Sequence, residues 1–471
     1  MATRTARSVA RLSSFSSLSP LPRPAPLPRL RLAAAKTGDH PSIHGLLVSV
    51  FHGPSTAEFQ SQLDEPGYEP ADRIIVKDDD QIAAHLRLAR QTIQVGAATL
   101  PAARFMDLAT APEYRSRGLA TALLAAGERA AAERGVLVGL TRTRAAELFA
   151  RQGWTVCGRH IFSTASPQAV LAELASAASS EEHRDQSSVL PCSPPESIQV
   201  RPLRRVELRG VVRLYERHIA GQSGWPVRGE PYWEWLLARG ACDQVYVASS
   251  GPETTDFAKL LDSIVGYICV RRSRIVELVV TGGRHDVARR LVERVCADAR
   301  EQDGWSMRCD APTDDPLIDL FRRAGGRVTV TQEVNGELFM AKLLDPLAVL
   351  REMTPVFAAR AAAAGLSHPC ELGIELRCGG GRRTRGASGV VERFRLCLGK
   401  RDARVETGGP SRHAIVLSYG ELAPLVLGDV GADTMAHSRR LSFTTKEAQK
   451  RASALLPGGI WWRPALDDLL A

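Results

Sequence analysis

Apolar residues in this chain follow two spacings. Some form short continuous blocks of the kind found in buried strands; others recur every three or four positions, as on a helix with one buried face. Arg73-Ile-Ile-Val-Lys77 and the run over 81–88 read as a hairpin whose turn holds Asp78, Asp79 and Asp80. A strand over 29–32 and a helix over 41–51, following Asp39, precede it. A strand over 103–109 comes next, then an Ala- and Leu-rich helix that stops at Gly135. Val136-Leu-Val-Gly-Leu140 is a buried-strand block, 145–154 a short helix ended by Gly153, and 155–162 a closing strand. This order predicts a mixed sheet covered by helices, an α/β layered fold.

A helix over 167–178 leads into Ser179-Ser-Glu-Glu-His-Arg-Asp-Gln-Ser-Ser and Pro191-Cys-Ser-Pro-Pro195, a polar, proline-bearing linker. From residue 198 the pattern repeats, with a helix over 206–218, strands over 244–248, 264–271 and 274–280, a helix over 287–300, a strand over 305–309 and a helix over 316–323. From residue 345 it changes to an Ala-rich helix over 346–365, strands over 371–377, 392–399 and 413–418, and helices over 421–427 and 446–456 that flank an extended 441–444. The predicted division is a leader (1–28), a first unit (29–165), a helix and linker (166–197), a second unit (198–344) and a third (345–471).

The formal charge of +9 is concentrated at the start: Arg4, Arg7, Arg11, Arg23, Arg29, Arg31 and Lys36 lie in an acid-free segment, and the rest of the chain carries +2. A nearly neutral body argues against nucleic acid as a partner, because backbone recognition needs clustered Lys and Arg. The leader is rich in Arg, Ser and Pro and is expected to be disordered; a transit peptide, a disordered tail and a misplaced start codon all fit it. No apolar run reaches the ~18–20 residues that span a bilayer, so no membrane insertion is expected. Nine scattered cysteines without zinc or redox spacing predict buried free thiols in a reducing, cytoplasmic setting, and no metal site.

Candidate chemistry sits between the strand over 103–109 and the helix after it, in Arg115-Ser-Arg-Gly-Leu-Ala-Thr121. A helix N-terminus offers unpaired N–H groups and a partial positive charge, which suit a diphosphate. Gly118 lets phosphates approach the main chain, Ala120 keeps the helix start clear, and Arg115 and Arg117 add fixed charge. The segment lacks the Gly-Lys-Ser/Thr of a Walker loop and the three glycines of a dinucleotide fingerprint. An ordinary strand, turn and helix with solvated arginines has the same outward pattern.

The segment resembles the acetyl-CoA-binding motif of the GCN5-related N-acetyltransferases (GNAT), Arg/Gln-x-x-Gly-x-Gly/Ala after an apolar strand. Downstream, Leu148, Phe149, Arg151, Gly153 and Trp154 fill the positions of that family's Leu-Tyr-x-Lys/Arg-x-Gly-Phe segment. In the second unit the corresponding turn is Thr281-Gly-Gly-Arg-His-Asp286, which resembles the fold without a working coenzyme site. His285 there reads as a surface or cap residue, and Trp225, Tyr232, Trp233 and Trp235 as packing. The third unit resembles a sterol-carrier-like domain. By architecture, residues 29–471 resemble the enhanced-intracellular-survival family of bacterial acetyltransferases: two tandem GNAT-like mixed-sheet units followed by a sterol-carrier-like α+β domain.

That resemblance implies an acetyl-CoA-dependent N-acetyltransferase with no metal, acting by direct attack in a ternary complex. The implied acceptor is a primary amine of a small molecule such as an aminoglycoside, or of a lysine side chain, and the implied assembly is a hexamer. Coenzyme contacts are implied for Leu108, Ala109, Thr110, Arg115, Ser116, Arg117, Gly118, Leu119, Ala120, Thr121, Arg144 and Ala145, with a main-chain N–H around 108–110 meeting the thioester oxygen. The family's base is its C-terminal carboxylate, here that of Ala471. Its acid is a Tyr, and Phe149 stands in that place and cannot donate a proton; Tyr114, water, or departure of the coenzyme as a thiolate are the substitutes. A weakly active or inactive protein that keeps the fold and binds acyl-CoA or a lipid-like ligand is the alternative. Phe149 favours that alternative, and the intact cradle favours the enzyme.

Overall fold

The computed structural model describes residues 30–185, 197–251, 256–377, 390–400, 402–459, 461–462 and 464–468; the leader, most of the linker and Ala471 lie outside them. The first sheet runs β1 (Leu30–Ala34), β2 (Arg73–Asp78), β3 (Gln81–Val95), β4 (Ala98–Thr110) and β5 (Val138–Thr143) in sequence order, then Glu337–Leu343 and Glu333–Val334. The pairs from β1 to β4 are antiparallel, and β4 and β5 run parallel.

Two helical layers cover this sheet, and strand alternation decides what each one meets. Helix α1 (His40–Phe51), helix α2 (Thr56–Leu63) and the segment after them lie over Arg73, His85 and Arg87. Helix α3 (Leu119–Glu133) lies over the opposite set, Leu86, Leu88 and Phe105. A Cβ on its Gly127 would come 2.6 Å from Leu86 and 3.1 Å from Phe105, so the missing side chain lets helix and sheet approach. A short α4 (Ala146–Arg151) follows β5.

The predicted closing strand over 155–162 is not continuous. It divides into β6 (Thr155–Val156), paired in the first sheet, and β7 (His160–Ala165), paired in the second between Met307–Asp310 and Arg327–Thr331. Gly158, at φ +99, makes the break by taking a backbone conformation that other residues avoid. The exchange is mutual, because Glu337–Leu343 leaves the second unit to pair with β5. Boundaries at residues 165 and 344 therefore divide the sequence but not the sheets.

The second sheet is ordered Arg327–Thr331, β7, Met307–Asp310, Arg274–Val280, Ile264–Arg271, Gln244–Ser250 and Ile198–Pro202, which repeats the order of the first. A third sheet of five strands, Ala403–Thr407, Val390–Leu398, Cys370–Arg377, Ala414–Ser418 and Leu441–Phe443, carries the C-terminal helices. The single helix predicted over 346–365 is two, Pro346–Glu352 and Thr354–Ala363; Pro355, in the first turn of the second, has no N–H to continue the first. Helix α2, strand Ala403–Thr407 and helix Ala432–His437 lie where no element was predicted. Cys192 and Cys378 lie outside the described residues; the other seven cysteines are unbridged and six of them are buried.

Candidate active site

Strands β4 and β5 pair only from Ala102 opposite Val138 to Arg104 opposite Leu140, although β4 continues to Thr110 and β5 to Thr143. They part just beyond, and Thr141 Oγ1 donates to the Phe105 carbonyl at 2.8 Å to close the apex of the fork. The outer edge of β5 stays paired to Glu337–Leu343 as far as Thr143, so the opening is one-sided. Leu108, Ala109 and Thr110 line the β4 arm. Opposite β3 a register slip sets Asp107 and Leu108 against the single residue Leu86, and Asp107 takes φ +53. Such a bulge redirects main-chain groups out of the ladder.

The arm ends in the predicted cradle. A single helical turn, Pro112–Tyr114, precedes Arg115, and Ser116 and Gly118 take φ of +60 and +78 before α3 opens at Leu119. Arg115, Ser116, Arg117 and Gly118 are exposed, and a Cβ on Gly118 would meet nothing within 4 Å beyond its own chain neighbours. Ala122 is the first residue of α3 to bond back, to the Gly118 carbonyl at 3.0 Å, so the N–H groups of Leu119, Ala120 and Thr121 remain available as at other helix starts. Arg115 and Arg117 fold onto the Thr110 and Glu113 carbonyls, at 3.4 and 3.0 Å. This is an exposed, donor-lined, positively charged turn of the kind that suits a diphosphate.

The other predicted site residues are spread around the fork. Phe149 is only 2% exposed and packs edge-on to Trp154, their centroids 5.3 Å apart; Trp154 in turn meets Phe105 and donates to Glu128 at 2.7 Å. Phe149 is thus part of the aromatic core behind β5. The Tyr114 hydroxyl donates to Asp78 at 2.8 Å, and that bond holds its pKa above the ordinary phenol value. Arg144 is largely exposed, 3.7 Å from Glu337, and the Ala145 N–H is taken by Thr143 Oγ1 at 3.0 Å.

A residue that periodicity did not single out brings the C-terminal tail to this fork. Trp461 and Trp462 are buried, the latter against Trp225, and the Asp467 carboxylate enters the second unit. Arg228 donates to both Asp467 oxygens and, at 2.8 and 2.9 Å, to both of Glu277; Tyr232 Oη adds a bond to Asp467 at 3.2 Å. Burial opposes the Arg228 charge, and the two carboxylates more than offset it, raising its pKa well above the ordinary value. The Asp467 carbonyl accepts from Arg104, the last residue of β4 to pair before the fork, at 3.4 Å. Ala471 itself lies outside the described residues.

In the second unit, Gly283 takes φ +79 before the helix His285–Glu301, but Arg284 is tied to Asp286 at 3.0 Å. Trp225, Trp233 and Trp235 are buried there. Among the described residues no group of three His, Cys, Asp or Glu is arranged to hold a metal ion, and no helix is long and apolar enough to cross a membrane.

Residues 31–157 match the sequence profile of an acetyltransferase (GNAT) domain, a span that contains the fork and the cradle. A search of curated proteins found no match. Among solved structures, a GCN5-related N-acetyltransferase from Anabaena variabilis superposes with a TM-score of 0.67 at 15% identity, over 92% of this chain and 99% of its own. A GCN5-related N-acetyltransferase from Kribbella flavida gives the same values, 0.67, 15%, 92% and 99%. Eis1 from Mycobacterium abscessus superposes with a TM-score of 0.61 at 16% identity, over 93% of this chain and 99% of its own. The layered α/β fold is therefore shared along nearly the whole chain, and its first part carries a GNAT acetyltransferase domain.

Proposed function

We propose that the protein is an acetyl-CoA-dependent N-acetyltransferase that acetylates a primary amine of a small molecule or a lysine side chain. The observation that carries this reading is the one-sided fork between β4 and β5 with the open, donor-lined turn at its end. Main-chain groups of Leu108, Ala109 and Thr110 would pair with the pantetheine arm, and the turn from Arg115 to Thr121 would take the diphosphate, with Arg144 and Ala145 at the far edge. Acetyl-CoA supplies an acetyl group activated as a thioester.

The amine must lose a proton as its C–N bond forms and the C–S bond breaks. The Ala471 carboxylate is assigned as the base. Asp467 lies four residues earlier, and its carbonyl accepts from Arg104 beside the fork. A main-chain N–H at the bulge would stabilise the oxyanion. With Phe149 in the core and the Tyr114 proton held by Asp78, the coenzyme leaves as a thiolate and takes its proton from water. The same reading assigns residues 345–471 to a sterol-carrier-like module, residues 198–344 to a unit without a coenzyme site, and the protein to a cytoplasmic homo-oligomer, a hexamer by resemblance. Its buried free thiols support the compartment.

The test is free-thiol release from acetyl-CoA with a panel of polyamines, aminoglycosides and lysine peptides. Release with at least one amine supports the reading. Tight coenzyme binding without release from any of them favours the second reading, a ligand-binding protein that keeps the fold, to which the absence of a phenol at Phe149 points.

A further inference from the structure

The Asp107–Leu108 bulge is held from beneath by a side chain the proposed chemistry has not used. His85 is fully buried on β3, directly opposite Ala109, at the step where the register slips. Its Nδ1 lies 2.9 Å from the Asp107 carbonyl oxygen, and its Nε2 lies 3.2 Å from Arg73 Nη1. A guanidinium nitrogen donates and never accepts, so Nε2 is the acceptor. A neutral imidazole has one ring proton, which must then sit on Nδ1 and be donated to the Asp107 carbonyl.

The ring is kept neutral by its surroundings. Burial, reinforced by the Arg73 and Arg87 charges, pushes its pKa to about 3, against the opposing bond to the Asp107 carbonyl. Arg73 is itself held: it donates to Tyr68 Oη at 3.1 Å and Gln62 Oε1 at 2.8 Å, lies over the Phe59 ring and has Asp107 Oδ2 at 4.0 Å. Tyr68 in turn meets His40 Nε2 at 2.9 Å. The groups around the ring are therefore His40 and Gln62 on α1 and α2, Tyr68 on the segment after them, Arg73 on β2, Arg87 on β3 and Asp107 on β4.

A trans peptide points its N–H opposite its C=O, so a carbonyl fixed in one direction fixes the next N–H in the other. We infer that His85 is a positioning residue: by holding the Asp107 carbonyl it aims the Leu108 N–H, the main-chain donor at the bulge, into the fork. This rests on the acetyltransferase reading for its catalytic consequence, but the hydrogen bond and tautomer can be tested without turnover.

Two measurements on the full chain decide it. In ¹⁵N NMR of the histidine rings, His85 should be neutral and protonated on Nδ1 from pH 5 to 8; an Nε2-protonated or cationic ring in that range overturns the clamp whether or not the protein is active. In kinetics, His85→Gln keeps an acceptor for Arg73 and a donor for the carbonyl, and should stay within about threefold of the parent kcat. His85→Leu should lose about 10- to 100-fold in kcat, with acetyl-CoA affinity by calorimetry changed less than about threefold, as misaiming an oxyanion donor predicts. Parent-like kcat in a folded His85→Leu, or equal losses of affinity and kcat, overturns the positioning role. If His85→Leu does not fold, the Gln variant and the ring spectra still decide. Absence of thiol release from the parent chain counts against the acetyltransferase reading alone.

Discussion

At the scale of single residues, the exposed basic turn before α3 was legible and the buried groups beneath the strands were not. Arg115, Gly118 and Ala120 lie in one turn, so their spacing survives folding unchanged. His85 and Arg87 alternate with Leu86 and Leu88, a pattern that ordinarily marks a wet sheet face, yet α2 and the segment after it cover that face and bury both. Burial of a neutral histidine has a pH signature. The His85 pKa is depressed from an ordinary 6.5 to about 3, so the unfolded chain binds the extra proton between these values. The associated stability is complete above about pH 6.5 and is lost as pH falls toward 3, on the order of 5 kcal/mol at most. Denaturant unfolding at pH 7.5 and 5 should show a smaller acid loss in His85→Gln than in the parent chain; equal losses would contradict the buried, neutral ring. In the cradle, replacing both Arg115 and Arg117 with Ala should weaken acetyl-CoA binding by about tenfold or more, read by calorimetry, because two charges beside the diphosphate are removed while their main-chain donors remain.

At the scale of elements, local signals located strands and helices but not the contacts that make them a site. The strand over 81–88 was visible, yet β3 runs on to Val95, because Arg90–Val95 pair with Ala98–Ala103 of β4 on one side and Ser223–Pro226 of the second unit meets the far end on the other. Likewise the tail from Trp461 reads as a generic apolar anchor until Arg228, 239 positions away from Asp467, captures it. That capture gives the tail a defined address. Arg228→Met leaves Glu277 and Asp467 facing each other in a buried pocket, and should cost about 3–5 kcal/mol of stability by denaturant unfolding. It should also free the tail, seen as faster proteolysis near residue 461; parent-like stability and cleavage would contradict the lock. Gly118→Val would force a branched side chain into φ +78, so it should weaken coenzyme binding more than it lowers stability.

At the scale of the whole molecule, the tandem architecture was legible because the order of apolar blocks repeats, and the repeat is real in the two sheets. The exchange of β7 for Glu337–Leu343 was not, since either strand suits either sheet by composition and only Gly158 hints at the crossing. Two sheets that each contain a strand of the other should unfold together. A fragment of residues 30–165 should lack a cooperative thermal transition, because β5 loses its outer partner and β7 its whole sheet. A sharp transition in that fragment would contradict the interdependence. The central claim, that the β4–β5 fork and its turn hold acetyl-CoA, is tested most directly by hydrogen exchange of the full chain with and without the coenzyme. The account predicts protection concentrated in peptides spanning 106–121, with a smaller share around 144–145 and none at 281–290; protection centred on other segments, or none at 106–121 under saturating coenzyme, would contradict it.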